Sequence, residues 1–249
     1  MKVFFPLLFI ISLQAAIAQQ VYDLFEEANQ HYQKGEFESA VEKYELILSN
    51  GKESGELYYN LANAYYKLNR LGHARLNYER AVKWLDDDEA VIQNLELLKL
   101  RLIDQIEEPP RLFINVWWDT ILNFFGLRTS GNILLVLTWF MLLSGAVYIY
   151  SRKRGRIRFK GLFVTLLVCW IFILLIWTTK IYLFETEKQG VILSTSVTVY
   201  AEPAANTTEL FVIHEGTIVN ILRSSGEWLE VRLIDGKTGW LSGNVLEVI

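Results

Sequence analysis

Cysteine and histidine are nearly missing from this sequence. A single cysteine, Cys169, in 249 residues excludes an internal disulfide framework. The three histidines, His31, His73 and His214, lie far apart, so neither a cysteine-rich zinc site nor a histidine cluster is expected. Basic excess is missing too: 24 Lys and Arg stand against 28 Asp and Glu, a net charge of -4, and no domain is basic, so nucleic acid is not an expected partner. Also absent are G-x-S-x-G, HExxH, a P-loop and paired cysteines. With no nucleophile–base pair or metal set, no enzymatic activity, cofactor or metal is expected. What the chain does contain is apolar: 52% hydrophobic and 14% aromatic residues, with a mean hydropathy of +0.22 despite 21% charged residues. Such an average points to greasy stretches set beside ordinary water-soluble ones.

The first stretch reads as an address. Met1-Lys2 is a short positive start, Val3–Leu13 is almost wholly apolar, and Ala16 and Ala18 fit the A-x-A cleavage rule. Residues 1–18 are therefore expected to be a signal peptide, with the mature chain beginning at Gln19 outside the cytoplasm.

Residues 19–108 repeat at a period of 34. Ala28 falls on Ala62, Asn29 on Asn63, Tyr32 on Tyr66, Ala40 on Ala74 and Tyr44 on Tyr78. Small residues at the alanine positions let two antiparallel helices approach, and the tyrosines fill the space between them. The spacing predicts helices over roughly 21–34, 37–49, 57–68 and 72–85. Gly35 and Asn69 suit the left-handed conformation that ends the first helix of each pair. Asp86-Asp87-Asp88 offers an N-cap for a further amphipathic helix over 89–106, and Glu107-Glu108-Pro109-Pro110 closes the segment. The stretch resembles the tetratricopeptide repeat family. That resemblance implies an all-α solenoid whose concave groove binds peptides through Asn29, Tyr32, Tyr59, Asn60, Asn63 and Tyr66. Asn29 and Asn60 match asparagines of the family's carboxylate-clamp members, but the accompanying basic positions hold Phe25, Ala90 and Asn94. A C-terminal carboxylate is thus not the expected ligand. The same asparagines and tyrosines also read as repeat packing residues, and both readings stay open at this point.

Two uncharged runs follow, within 129–150 and 161–184. At 1.5 Å per residue each is long enough to cross about 30 Å of hydrocarbon. The connector 151–160 carries six basic residues, leaving 18 basic against 28 acidic elsewhere. A short polybasic loop stays on the cytoplasmic side, so both ends face out. The expected structure is a two-helix transmembrane hairpin. Ahead of it, 109–128 gathers Trp117, Trp118, Ile121, Leu122, Phe124 and Phe125 between Asn115, Asp119 and Asn123, the composition of an interfacial amphipathic segment. Cys169 reads as a small apolar residue of the second run.

From 187 to 249 short β-branched and aromatic runs alternate with turns at Glu215-Gly216, Ser225-Gly226, Asp235-Gly236 and Ser242-Gly243, as in a small all-β barrel. The order HEGT, G-x-W-x-x-V and DGKTGWL resembles the bacterial SH3-like domain. The resemblance assigns Trp228, Gly239 and Trp240 to its motif and implies binding of peptide or cell-wall material. As a whole the order of segments resembles the E-type family of Bacteroides aerotolerance operons. This implies a multi-domain bacterial inner-membrane protein with both end domains periplasmic. Its relatives accompany a MoxR-type ATPase and von Willebrand A-type membrane proteins and are linked to oxidative-stress tolerance. The expected role is a non-catalytic scaffold or adaptor at the lipid bilayer, the alternative being a peptidoglycan-binding sensor.

Overall fold

In the computed structural model, residues 4–85, 88–106, 112–124, 126–153, 160–186 and 188–249 are described. They form two units, residues 1–108 with 189–249 and residues 109–188. The basic residues expected at the hairpin tip, Arg154, Arg156 and Arg158, and the segment Glu107–Pro110 lie outside the described residues.

The first unit opens with helices α1 (Phe4–Gln33), α2 (Phe37–Ser49), α3 (Gly55–Lys67), α4 (Leu71–Trp84) and α5 (Glu89–Lys99). Helix α1 runs through Ala18 without a break, where the sequence gives a helix starting near Val21. The α1–α2 and α3–α4 turns are built alike. Gly35 and Asn69 take φ of 79° and 59°, and the amides of Glu36 and Arg70 donate to the carbonyls of His31 and Tyr65 at 2.9 and 3.0 Å. This left-handed closure satisfies helix-end carbonyls. Ser54 caps α3 by accepting from the Leu57 amide at 3.1 Å. Asp88 caps α5 by accepting from the amides of Ala90 and Val91. The alanines at repeat-matched positions, Ala28, Ala40, Ala62 and Ala74, are all fully buried, which brings the paired helices close around Tyr44 and Tyr78.

Helix α5 ends at Lys99, short of the amphipathic helix expected to run to Ile106. The reason is tertiary. Leu102 and Ile106 leave the helical path, Leu102 to pack in the helical core and Ile106 to pack against the β core.

The same unit closes with an antiparallel seven-stranded sheet in the order β3-β2-β6-β5-β4-β1-β7. Its strands are β1 (Gln189–Ile192), β2 (Ser196–Tyr200), β3 (Glu209–His214), β4 (Ile218–Ser225), β5 (Trp228–Arg232), β6 (Thr238–Ser242) and β7 (Leu246–Val248). Ile192, Val197, Val199, Ile213, Val219, Val231, Leu233, Leu241 and Leu246 make the core. The β-branched and aromatic runs of the sequence give strands at 197–200, 217–222, 228–233, 238–241 and 245–248, so β1 and β3 are additions. Val191 and Ile192 are both fully buried, although successive strand residues face opposite ways. Ile192 enters the β core, whereas Val191 lies outside it, on the face that β1 packs against α4. A strand buried on both sides has no polar alternation to reveal it.

The second unit holds α6 (Phe113–Asn123), α7 (Leu127–Lys153) and α8 (Lys160–Thr186). Within α7 and α8, Thr129–Ser151 and Lys160–Leu183 have mean hydropathies of 2.1 and 2.5, long and apolar enough to cross a membrane. The two helices pack side by side. Trp170 Nε1 donates to Thr138 Oγ1 at 2.9 Å, and the rings of Tyr148 and Phe163 stack at 5.9 Å. Gly131 and Gly145 admit Trp177 and Phe163, whose rings lie 3.1–3.2 Å from where a Cβ would stand.

Candidate functional site

A ladder of amides and phenols runs across α1, α3 and α5. Tyr44, on α2 and 1% exposed, donates its hydroxyl to Asn29 Oδ1 at 2.6 Å, and Asn60 Nδ2 donates to the same oxygen at 3.1 Å. Thirty-four residues on, the set recurs. Tyr78, also 1% exposed, donates to Asn63 Oδ1 at 2.5 Å, and Asn94 Nδ2 donates to that oxygen at 2.9 Å. Asn94 is the counterpart of Asn60, so α5 continues the series as a third first-helix position. Burial pushes the Tyr44 and Tyr78 hydroxyls well above the usual phenol range, with neighbouring Tyr32 and Tyr59 adding to it. Both phenols are therefore neutral donors at any ordinary pH.

Beside the ladder lies a cavity of about 460 Å³ lined by Glu26, Asn29, Tyr32, Gln33, Tyr44, Asn60 and Asn63. Four of the six peptide-binding positions inferred from the sequence, Asn29, Tyr32, Asn60 and Asn63, meet here. Tyr59 stands one step along, accepting from Asn94 Nδ2 at 3.0 Å, with its ring 6.1 Å from that of Tyr78. Tyr66 stands apart, beneath the Arg101 guanidinium at 4.6 Å. Glu26, Gln33, Tyr44, Asn94 and Arg101 were not among the inferred positions. For Asn94 the 34-residue shift from Asn60 was the available signal.

The hydrogen bonding divides these groups into spent and unspent. The Oδ1 atoms of Asn29 and Asn63 each serve two internal donors. Asn29 Nδ2 reaches Glu26 only at 3.5 Å. Among the described residues, Asn63 Nδ2 and Asn60 Oδ1 have no hydrogen-bond partner and can pair with an external amide, which carries one group of each kind. Among the described residues no cluster of His, Cys, Asp and Glu could hold a metal ion.

A second candidate surface lies on the outer face of β4–β6 and β2. Trp240 pairs with Tyr200 on one side and Glu230 on the other. The Arg223 guanidinium lies 5.3 Å from the Trp240 ring and bonds Glu230. Tyr200 and half-buried Trp228 meet edge to face at 5.8 Å and 83°. Gly239 is required at its position. A Cβ there would stand 2.5 Å from Val199 Cγ1 and 2.9 Å from the Tyr200 carbonyl oxygen. The two tryptophans thus differ: Trp240 is buried beneath Arg223, while Trp228 offers part of its ring to solvent.

Comparison with known proteins bears on the β domain. The family model of the bacterial SH3 domain matches residues 195–247. Among solved structures, the chain is similar to the C-terminal SH3 domain of myosin IB from Entamoeba histolytica. It is 26% identical over 26% of this chain and 95% of that one, with a TM-score of 0.19. The same domain bound to the EhFP10(GEF) peptide is 27% identical over 25% of this chain and 93% of that one, with a TM-score of 0.18. No curated protein matches the chain.

Proposed function

We propose that this protein is a non-catalytic, membrane-anchored adaptor of the bacterial envelope. In this reading α1–α5 are a tetratricopeptide solenoid whose groove takes an extended peptide segment of a membrane-bound partner. The observation that supports it is the open Asn60 Oδ1 and Asn63 Nδ2 in the cavity beside the flat ring of Tyr32, a set that suits a peptide backbone. The SH3-like domain supports a role in binding protein or peptide rather than in catalysis.

The anchoring half of the proposal rests on α7 and α8 as an antiparallel pair of spans. The helical and β domains precede and follow these helices, yet they belong to one unit. Two bodies that touch lie on the same side of any membrane crossed between them. The polybasic connector puts the opposite side in the cytoplasm. Both domains would then be periplasmic after removal of residues 1–18, with 109–128 lying at the outer leaflet. The E-type aerotolerance resemblance adds von Willebrand A-type membrane proteins as the partner class and oxidative-stress tolerance as the setting.

The test is crosslinking pull-down from intact membranes. Asn60→Ala with Tyr32→Ala, both at the cavity, should weaken partner capture by about 1–3 kcal/mol. Folding should persist, because Ala62, Ala74 and Tyr78 are untouched. A correctly folded double variant that captures every partner at the wild-type level would sink the groove reading. A second reading, cell-wall binding, is favoured by one feature, the half-buried Trp228 ring set against Tyr200. Sedimentation with peptidoglycan that depends on Trp228 would support it.

A further inference from the structure

The turn His214-Glu215-Gly216-Thr217 joins β3 to β4 and makes contacts far outside its own domain. Asp104 Oδ2 accepts from the His214 amide and from Thr217 Oγ1, both at 2.6 Å, and Asp104 Oδ1 lies 2.9 Å from His214 Nδ1. Glu215 Oε2 accepts from the Gly72 amide at 3.0 Å. Gly72 sits in the first turn of α4, where an amide has no acceptor within its own helix. The carboxylate of Glu215 supplies that acceptor and places negative charge at a helix N-terminus, where it is favoured.

Shape complements these bonds. A Cβ on Gly72 would stand 2.8 Å from the Ile192 carbonyl oxygen, and one on Gly216, where φ is +82°, would stand 2.4 Å from Leu102 Cδ2. Further along α4, Arg80 donates to Glu247 and to the Val248 carbonyl, each at 2.7 Å. Leu76 of α4 and Val191 of β1 are both buried but belong to neither domain core. Helix α4 and strand β1, which carry them, are in contact.

We propose that the His214–Thr217 turn is a docking key and the outer face of α4, with Asp104, its lock. The β domain closes onto the helical domain of its own chain, and the pair acts as one body. Part of the motif by which the sequence resembles an SH3-like domain is thus spent on internal docking and not on a ligand. The consequence rests on the adaptor reading above: the amide ladder and the Trp228 surface would be held at one fixed separation, so that a partner engaging both gains from effective concentration. The docking itself is testable without any ligand.

Residue-resolved hydrogen exchange on the full chain in detergent reads it at the Gly72 amide. This amide should be protected in the wild type, and exchange should quicken by about tenfold or more in Glu215→Ala, while amides in the middle of α3 stay unchanged. Rapid exchange at Gly72 in the wild type, or equal protection in both proteins, overturns the proposal. Protection that rises with protein concentration also overturns it, assigning the contact to a second copy. If Glu215→Ala fails to fold, Gly72→Ala decides by sign. On an open helix face, alanine in place of glycine raises the melting temperature. Against the Ile192 carbonyl it should lower it, and a raised value would refute the docking.

Discussion

In α3 and α4 the large side chains Leu61, Tyr65 and Tyr78 are buried, whereas on α7 and α8 Trp139, Leu143 and Val168 stand 68, 63 and 61% exposed. The groups turned inward differ as well. The helical domain buries whole phenols with their hydroxyls bonded to asparagines. In α7, buried Ser130 and Ser144 turn their hydroxyls back to carbonyls of their own helix. Burial of apolar surface drives folding where the surroundings are water. Where the surroundings are lipid, small residues and occasional polar pairs join helices and the large side chains face outward. The two arrangements are what one chain would show if its helices had folded into two different solvents.

The largest expected effect breaks the comparison at its water-facing end. Tyr78→Ala removes a fully buried ring and leaves Asn63 Oδ1 with Asn94 as its single donor. It should cost the first unit about 3–5 kcal/mol in urea unfolding followed by circular dichroism. Leu143→Ala, a truncation of comparable kind on α7, should leave that unfolding curve unmoved. Equal effects would mean that the two helix sets share one solvent.

A charge sharpens the contrast from the other side. Leu143→Arg places a guanidinium at the middle of α7. In lipid this should oppose insertion by about 2.5–3.5 kcal/mol, read as a smaller fraction of protein resisting alkaline carbonate extraction. An α7 exposed to water would accept the same arginine with no loss.

Smaller still are the polar pairs. Tyr78→Phe keeps the ring and deletes one hydrogen bond, which should cost about 0.5–1.5 kcal/mol. Thr138→Val deletes the acceptor of Trp170 Nε1 in the hairpin. Helix pairs in lipid average about 0.6 kcal/mol for such a contact, so the loss in a reversible unfolding assay in micelles should be lower than for Tyr78→Phe.

Much of this contrast is legible in the sequence. The 34-residue period located Ala28, Ala40, Ala62 and Ala74 in the core and Gly35 and Asn69 at helix ends, because those positions depend on local geometry. The β-domain turns were legible for the same reason, being marked by glycines that take positive φ at 216, 226 and 236. What stayed hidden depends on partners distant in sequence. Strand β1 lacks alternation because α4 covers one face and the β core the other. Edge strand β3 departs from the pattern by exposing Leu210 and Val212. Helix α5 stops early because Leu102, Asp104 and Ile106 have other contacts to make, and Asp104 meets His214 across 110 residues of chain. At the candidate site, the residue types were visible but their division into spent and unspent atoms was not. The sequence cannot tell which oxygen of the ladder already serves two donors.

The smallest effects are graded ones, and they test where the first unit keeps its charges. His73 is half-buried on α4, with its ring 4.9 Å from that of Tyr65. Burial, and then the nearby charge of Arg70, hold its pKa below the usual histidine range, against the opposing pull of Glu247, Glu45 and Glu215. The unfolded chain therefore binds this proton more readily than the folded one, and stability should fall as pH drops below about 6.5. Asp104 behaves differently. Burial pushes its carboxyl up, but the bonds from Thr217 and His214 outweigh that and hold it below the usual range. Its contribution is present in full above the unfolded-chain value of about 3.9 and is lost as pH falls through the lower folded value. Both groups make acid destabilising, in two separate windows. Unfolding midpoints measured from pH 8 to pH 3 should show a first decline that His73→Gln removes and a second that Asp104→Asn removes. The hairpin gives a matching control, since Cys169→Ser should leave both declines in place. A single decline below pH 4, unaltered by His73→Gln, would mean that His73 is open to water and that the α4 face beside it is not covered.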